Sequence, residues 1–180
     1  MTDDGHGQPT PDKRLAAVCG LFCPACTIYI GTSEDPARLE ALSQRIGLPV
    51  EKLRCEGCRS DNRCFFCQDL CKMAKCAGGK GLDFCGECRE YPCDELKAFQ
   101  AAMPHRLELW KSLDRIREAG FETWYREMIA RYSCQECGAI NSAYDFACRK
   151  CGARPGSGYV AEHGEEIARM MGQMAAPVNR

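Results

Sequence analysis

The chain has 180 residues, 16 of them cysteine, and a formal net charge of −1. Its apolar share is 45%, and roughly 36% remains once the cysteines are set aside, thin for a core held by burial alone. No apolar run of 18 residues exists, so no membrane partner is expected. The near-neutral charge excludes a general polycation for nucleic acid, and the polar opening Met1 to Arg14 does not read as a secretory signal. The expected location is cytoplasmic, where thiols stay reduced and clustered cysteines serve metals before disulfides.

Residues 1–13 are small and polar without periodicity and read as a disordered tail. Residues 14–100 read as a cysteine-rich metal-binding domain. Within it Asp35-Pro36 opens a helix as N-cap and first residue. Leu39, Leu42 and Ile46 give that helix one face, and Gly47 ends it. From Cys55 to Cys93 the density of Cys, Gly and charge predicts knuckles and short turns. Asp94 is expected to cap a short helix carrying Leu96 and Phe99, which stops before Pro104.

Residues 101–132 read as a helical connector. One helix carries Leu109, Leu113 and Ile116 and stops at Gly120. The next places Phe121, Trp124, Tyr125, Met128 and Tyr132 on one stripe, expected to pack against the cysteine module. Residues 133–155 read as a zinc ribbon, and residues 156–180 as a flexible or weakly helical tail. Any helix there would run from Glu162 to Met174, with Ile167, Met170, Met171 and Met174 on one side. The predicted fold class is a small, metal-stabilised, mainly α protein with irregular zinc knuckles, a helical connector and a C-terminal ribbon.

The clearest chemical signal is Cys134-x2-Cys137-x10-Cys148-x2-Cys151. Two such knuckles can set four thiolates around one zinc. Gly138 and Gly152 follow each second cysteine, where the knuckle turn calls for positive φ. Four thiolates leave no open position for water, so the site is expected to be structural. The segment resembles the Ran-binding-protein type of zinc finger, with Asn141 at that family's asparagine position and Tyr132 where it has Trp. Members bind ubiquitin or single-stranded RNA. The Thr-Phe of the ubiquitin binders is replaced by Gly138-Ala139, and the Arg pair of the RNA binders by Tyr144-Asp145. The resemblance therefore implies the metal and neither ligand, and a generic ribbon is the better description.

Twelve further cysteines precede it: Cys19, Cys23, Cys26, Cys55, Cys58, Cys64, Cys67, Cys71, Cys76, Cys85, Cys88 and Cys93. The opening Cys19-x3-Cys23-x2-Cys26 has radical S-adenosylmethionine spacing, but no strand–helix repeat follows it. Cys23-Pro24-Ala25-Cys26 has thioredoxin-type spacing, but no βαβ frame surrounds it. Metal knuckles are the favoured reading. Twelve divides into three sites of four, one example being Cys76, Cys85, Cys88 and Cys93, and the ribbon makes about four zinc ions in all. Sequence alone does not assign the groups. All-thiolate shells also suit iron–sulfur clusters, so an iron–sulfur or mixed iron–sulfur and zinc redox protein is the alternative.

In order along the chain, Cys19-Gly20-Leu21-Phe22-Cys23, Cys55-Glu56-Gly57-Cys58 and Phe84-Cys85-Gly86-Glu87-Cys88-Arg89-Glu90-Tyr91-Pro92-Cys93 resemble an uncharacterised cysteine-rich domain family of bacteria and archaea. The resemblance spans about residues 15–100. Some members are also similar in carrying the helical connector and the ribbon. It implies a metal-binding module and no particular activity.

The three histidines, His6, His105 and His163, are expected at the solvated surface. No zinc-deaminase, His-Glu-x-x-His, phosphate-loop or dinucleotide signature is present, so catalysis is not expected. Arg54, Arg59, Arg63, Lys72, Lys75, Lys80 and Arg89, interleaved with Phe65, Phe66 and Phe84, could bind single strands. The same charges could instead offset the two negative charges of each four-thiolate zinc, and that reading is preferred. The expected function is a non-enzymatic multi-zinc interaction module for a protein partner, with nucleic acid as the other candidate partner and single-stranded RNA binding as a further alternative.

Overall fold

The computed structural model describes residues 10–175. The expected tail at 1–13 therefore lies outside the described residues up to Pro9. Beyond it Asp12 caps a 3₁₀ turn, Lys13–Leu15, by accepting from the Arg14 amide at 2.9 Å. Eight α-helices follow: α1 Thr27–Ser33, α2 Pro36–Ile46, α3 Val50–Leu53, α4 Lys72–Lys80, α5 Asp94–Ala101, α6 Leu109–Ala119, α7 Phe121–Tyr132 and α8 Gly158–Ala175. Among the described residues there is no strand. Isolated bridges join Ala16 to Phe22 and Ser133 to Ile140. The C-terminal segment, read from the sequence as a ribbon, thus carries a single bridge. No described helix is long and apolar enough to cross a membrane.

Local chemistry explains most element ends. The Asp35 side chain accepts from the Arg38 amide, and Gly47 closes α2 in the left-handed conformation. Leu39 on that helix is buried, whereas Ile46 is exposed. The cap of α5 sits one residue earlier than expected. Cys93 keeps the extended backbone and its carbonyl accepts from Lys97, while Asp94 becomes the first helical residue.

Two segments are more regular than the sequence reading predicts. Between Cys55 and Cys93 the nine-residue α4 forms. Cys71 Sγ accepts from the Ala74 amide at 3.4 Å, Met73 and Ala77 bury one side, and Gly81 terminates it. A sulfur cap and two apolar residues suffice there, despite two glycines in the last turn. At the other end α8 starts at Gly158, before Glu162, and it is a docked helix. Tyr159, Val160 and Ile167 are buried. The Tyr159 hydroxyl donates to the Pro104 carbonyl at 2.7 Å, and its ring stacks on Tyr132 at 5.0 Å. Residues 176–180 lie outside the described residues.

One hydrophobic core joins residues from Ala16 to Ile167. Its centre is where α6 and α7 meet the cysteine-rich turns. The α7 stripe turns inward as expected, with Phe22 edge-on to Tyr125 at 5.1 Å and to Trp124 at 6.1 Å, and stacked on Tyr132 at 6.0 Å. Leu113 of α6 is fully buried, and two glycines from cysteine turns press against it. A Cβ on Gly20 would stand 2.8 Å from Leu113 Cγ, and one on Gly86 would stand 3.2 Å from the Leu113 carbonyl oxygen. The Cys85 amide donates to the Val18 carbonyl at 2.8 Å, tying those two turns together.

Candidate metal centre

The two C-terminal knuckles are built alike. In each, the glycine amide bonds back to the first cysteine's carbonyl: Gly138 to Cys134 at 2.9 Å and Gly152 to Cys148 at 2.9 Å. In each, the first cysteine's amide donates across the turn: Cys134 to Ala139 at 2.9 Å and Cys148 to Ala153 at 2.8 Å. Gly138 and Gly152 have φ of 72° and 76°. A Cβ at either would meet nothing within 4 Å, so it is the backbone conformation that requires glycine there.

The knuckles face each other. Sγ of Cys134 is 3.7 Å from that of Cys151, and Sγ of Cys137 is 3.6 Å from that of Cys148. All four sulfurs lie within 4.8 Å of one another. Zinc–sulfur bonds of about 2.3 Å in a tetrahedron place sulfurs about 3.8 Å apart, so this donor set fits a single thiophilic ion. Cys134 and Cys148 are buried, and Cys137 and Cys151 are exposed.

Asn141 holds the pair together from a fully buried position. Its Nδ2 donates to the carbonyls of Ala139 at 2.9 Å and Gly156 at 2.8 Å and lies 3.6 Å from Cys148 Sγ. Its Oδ1 accepts from the Arg149 amide at 2.9 Å. Against the cost of burial, the amides of Cys151 and Lys150 and the Asn141 side chain bring the Cys148 thiol down to about 6. The Ala153 amide favours a thiolate at Cys151, but the neighbouring sulfurs, Cys137 first, push that thiol up to about 12. One thiolate is readily held in this cluster and further ones are resisted, which is the charge a divalent cation neutralises.

The N-terminal cysteines gather more loosely. Cys76, Cys85, Cys88 and Cys93 line one small cavity together with Ala77, Leu82 and Leu96. Burial and then the nearby sulfurs of Cys93, Cys76, Cys71 and Cys88 push the Cys85 thiol up to about 12. Cys55 is held low by hydrogen bonds from Cys64 and Cys67, and the same contacts push those two thiols up. Burial raises Cys19, Cys23, Cys26 and Cys58, each with further cysteines among its neighbours. Cys71 caps α4. Among the described residues, the C-terminal four are the one all-cysteine set drawn within 4.8 Å.

The histidine expectation is corrected for both described histidines, and His6 lies outside the described residues. His105 Nδ1 is 2.6 Å from the Tyr144 hydroxyl, and burial, with Arg106 beside it, drives its pKa down to about 3. His163 Nε2 sits 3.1 Å from Glu108 Oε1. Glu108, Glu162 and His163 lie within 4.8 Å of one another. Arg131 pairs with both carboxylates, so this is an ion-pair network around a buried Glu108. Neither contact carries a local sequence signal, because each joins segments far apart in the chain.

Several basic residues considered for nucleic acid have partners within the protein. Arg59 lies over Phe84 at 4.8 Å and donates to the Ala16 carbonyl at 2.8 Å. Lys72 pairs with Glu95, Lys80 with Glu90, and Lys75 donates to the Asp69 carbonyl.

Residues 15–98 match the family described as "Protein of unknown function (DUF3795)". No curated protein and no solved structure matches the chain.

Proposed function

We propose that the chain is a non-catalytic interaction module in which Cys134, Cys137, Cys148 and Cys151 hold one structural zinc ion. The observation that carries the metal reading is the pair of Sγ separations, 3.7 and 3.6 Å, which suit zinc's tetrahedral thiolate shell. When bound, zinc supplies charge neutralisation and a cross-link. The chain's own residues do the rest: Gly138 and Gly152 turn the knuckles, and Asn141 locks them to each other and to the lead-in of α8. A closed shell offers no site for a reacting water, which supports a recognition role over catalysis.

Support for a protein partner comes from Phe66 and Leu70, exposed together on the short turn before α4. The internal pairing of Arg59, Lys72 and Lys80 weighs against the nucleic-acid alternative. Elemental analysis tests the metal. Cys137→Ser/Cys151→Ser should bind one zinc fewer per chain than the native protein, and equal zinc in the two overturns the assignment. Salt-sensitive retention on single-stranded RNA would favour the nucleic-acid reading instead.

A further inference from the structure

The four cysteines around the small cavity differ from the C-terminal four in a way that bears on their occupant. Cys76 projects from α4, Cys85 opens the 3₁₀ turn Cys85–Glu87 and Cys88 follows it, and Cys93 caps α5. Separate elements thus converge on one point. The space between them has a volume of about 40 Å³, roughly three times the least that admits one water. Its walls include Ala77 and Leu96, both buried. No three of these four sulfurs lie within 4.8 Å of one another. A mononuclear zinc shell needs sulfurs about 3.8 Å apart. A polynuclear cluster stands between its thiolates and holds them farther apart. Lys80 Nζ lies 3.5 Å from Cys88 Sγ and 3.1 Å from a Glu90 carboxylate oxygen. It brings a positive charge to the rim of a centre whose thiolates are negative.

We infer that Cys76, Cys85, Cys88 and Cys93 form a second metal centre, separate from the C-terminal one, and that its occupant is a four-iron iron–sulfur cluster with Lys80 as an outer hydrogen-bond donor to Cys88. The two centres are independent, so either assignment can fail without the other. Ala77, Leu82 and Leu96 shield one side, and the exposed Cys76 marks the side open to solvent.

The test uses the full chain purified without oxygen, with iron, acid-labile sulfide and zinc measured together. The native protein should contain iron and sulfide and absorb near about 400 nm, where cluster charge-transfer bands lie. Cys85→Ser/Cys88→Ser should lose about four iron and four sulfide per chain while keeping the zinc of the C-terminal cluster. Cys137→Ser/Cys151→Ser should do the reverse. A native chain without iron and sulfide, or a Cys85/Cys88 variant that loses zinc in place of iron, overturns the proposal. Should the double variant fail to fold, as loss of its helical circular dichroism would reveal, Lys80→Gln decides. It keeps all four thiols and should lower the reduction potential of the cluster, followed at its absorption band. An unchanged potential overturns the assignment of Lys80.

Discussion

Arg38 of α2 forks onto Asp145, in the loop between the two C-terminal knuckles, with Nη1 3.1 Å from Oδ2 and Nη2 2.9 Å from Oδ1. Both side chains are mostly shielded, at 17% and 13% exposure. Asp145 also accepts from the Ser142 amide at 2.7 Å and from its hydroxyl at 2.9 Å. Nearby, Arg149 reaches Glu34 at 2.5 Å. The four-cysteine cluster is therefore clamped onto the helices of the cysteine-rich module. Arg38→Ala should destabilise the protein by about 2 kcal/mol, because it strands a shielded carboxylate. Arg38→Lys should recover only part of that, since an ammonium cannot fork. Denaturant unfolding of both variants measures this, and equal stability of Arg38→Lys and the native chain would sink the bidentate account.

The contact of Gly20 with Leu113 predicts a non-additive pair. Gly20→Ala meets both a φ of 83° and a Cβ 2.8 Å from Leu113 Cγ, and should cost about 2 kcal/mol or more. Leu113→Ala should cost about 3 kcal/mol through the cavity it leaves. Combined, they should cost less than their sum, because the shortened side chain makes room for the new methyl while the backbone strain stays. A thermal-melt cycle with strictly additive effects would remove the packing explanation.

His105 predicts an acid-sensitive limb of stability. Its folded pKa, about 3, lies below the ordinary 6.5, so the unfolded chain binds the extra proton first. Stability is thus unaffected above about pH 6.5 and falls by about 1.4 kcal/mol per pH unit below it, until the folded group titrates. His105→Gln, which keeps a polar partner for Tyr144, should flatten the slope between about pH 6.5 and 5. Urea titrations across that range are the check, and an unchanged slope in the variant would count against His105.

Glu108 acts lower on the scale. Burial raises its pKa, but Arg131 and His163 outweigh that and hold it below the usual 4.5. Its stabilisation is present above that ordinary value and is lost as pH falls through the depressed one. Glu108→Gln should cost about 3 kcal/mol at neutral pH by leaving Arg131 without its buried partner. The gap to the native protein should close as the pH drops below 4.5. A gap independent of pH would mean that shape, not charge, is what Glu108 contributes.

What the sequence made legible is local. Asp35 and Gly47 delimit α2, Gly120 separates α6 from α7, and the inward stripe of α7 follows from helical spacing alone. The C-terminal cluster is also readable, because its two knuckles and Asn141 lie within eighteen consecutive residues, Cys134–Cys151. What stayed hidden depends on segments meeting in space. Nothing near Arg38 announces Asp145, nothing near His105 announces Tyr144, and Tyr159 finds Pro104 across 55 positions. Helix α4 was obscured for a different reason. Its cap is a cysteine sulfur, and its buried side is only Met73 and Ala77, too few for periodicity to register.

The shared core has a consequence for the order of events during synthesis. Phe22 lies within the matched residues 15–98, yet Trp124, Tyr125 and Tyr132, which enclose it, come from α7. Leu113, against which the Cys19 and Cys85 turns rest, comes from α6. As the chain leaves the ribosome, all twelve N-terminal thiols emerge before α6 and α7. The nascent chain therefore passes through a stage in which its thiols can meet metal while Phe22 is still uncovered, and completion of α7 is what covers that ring.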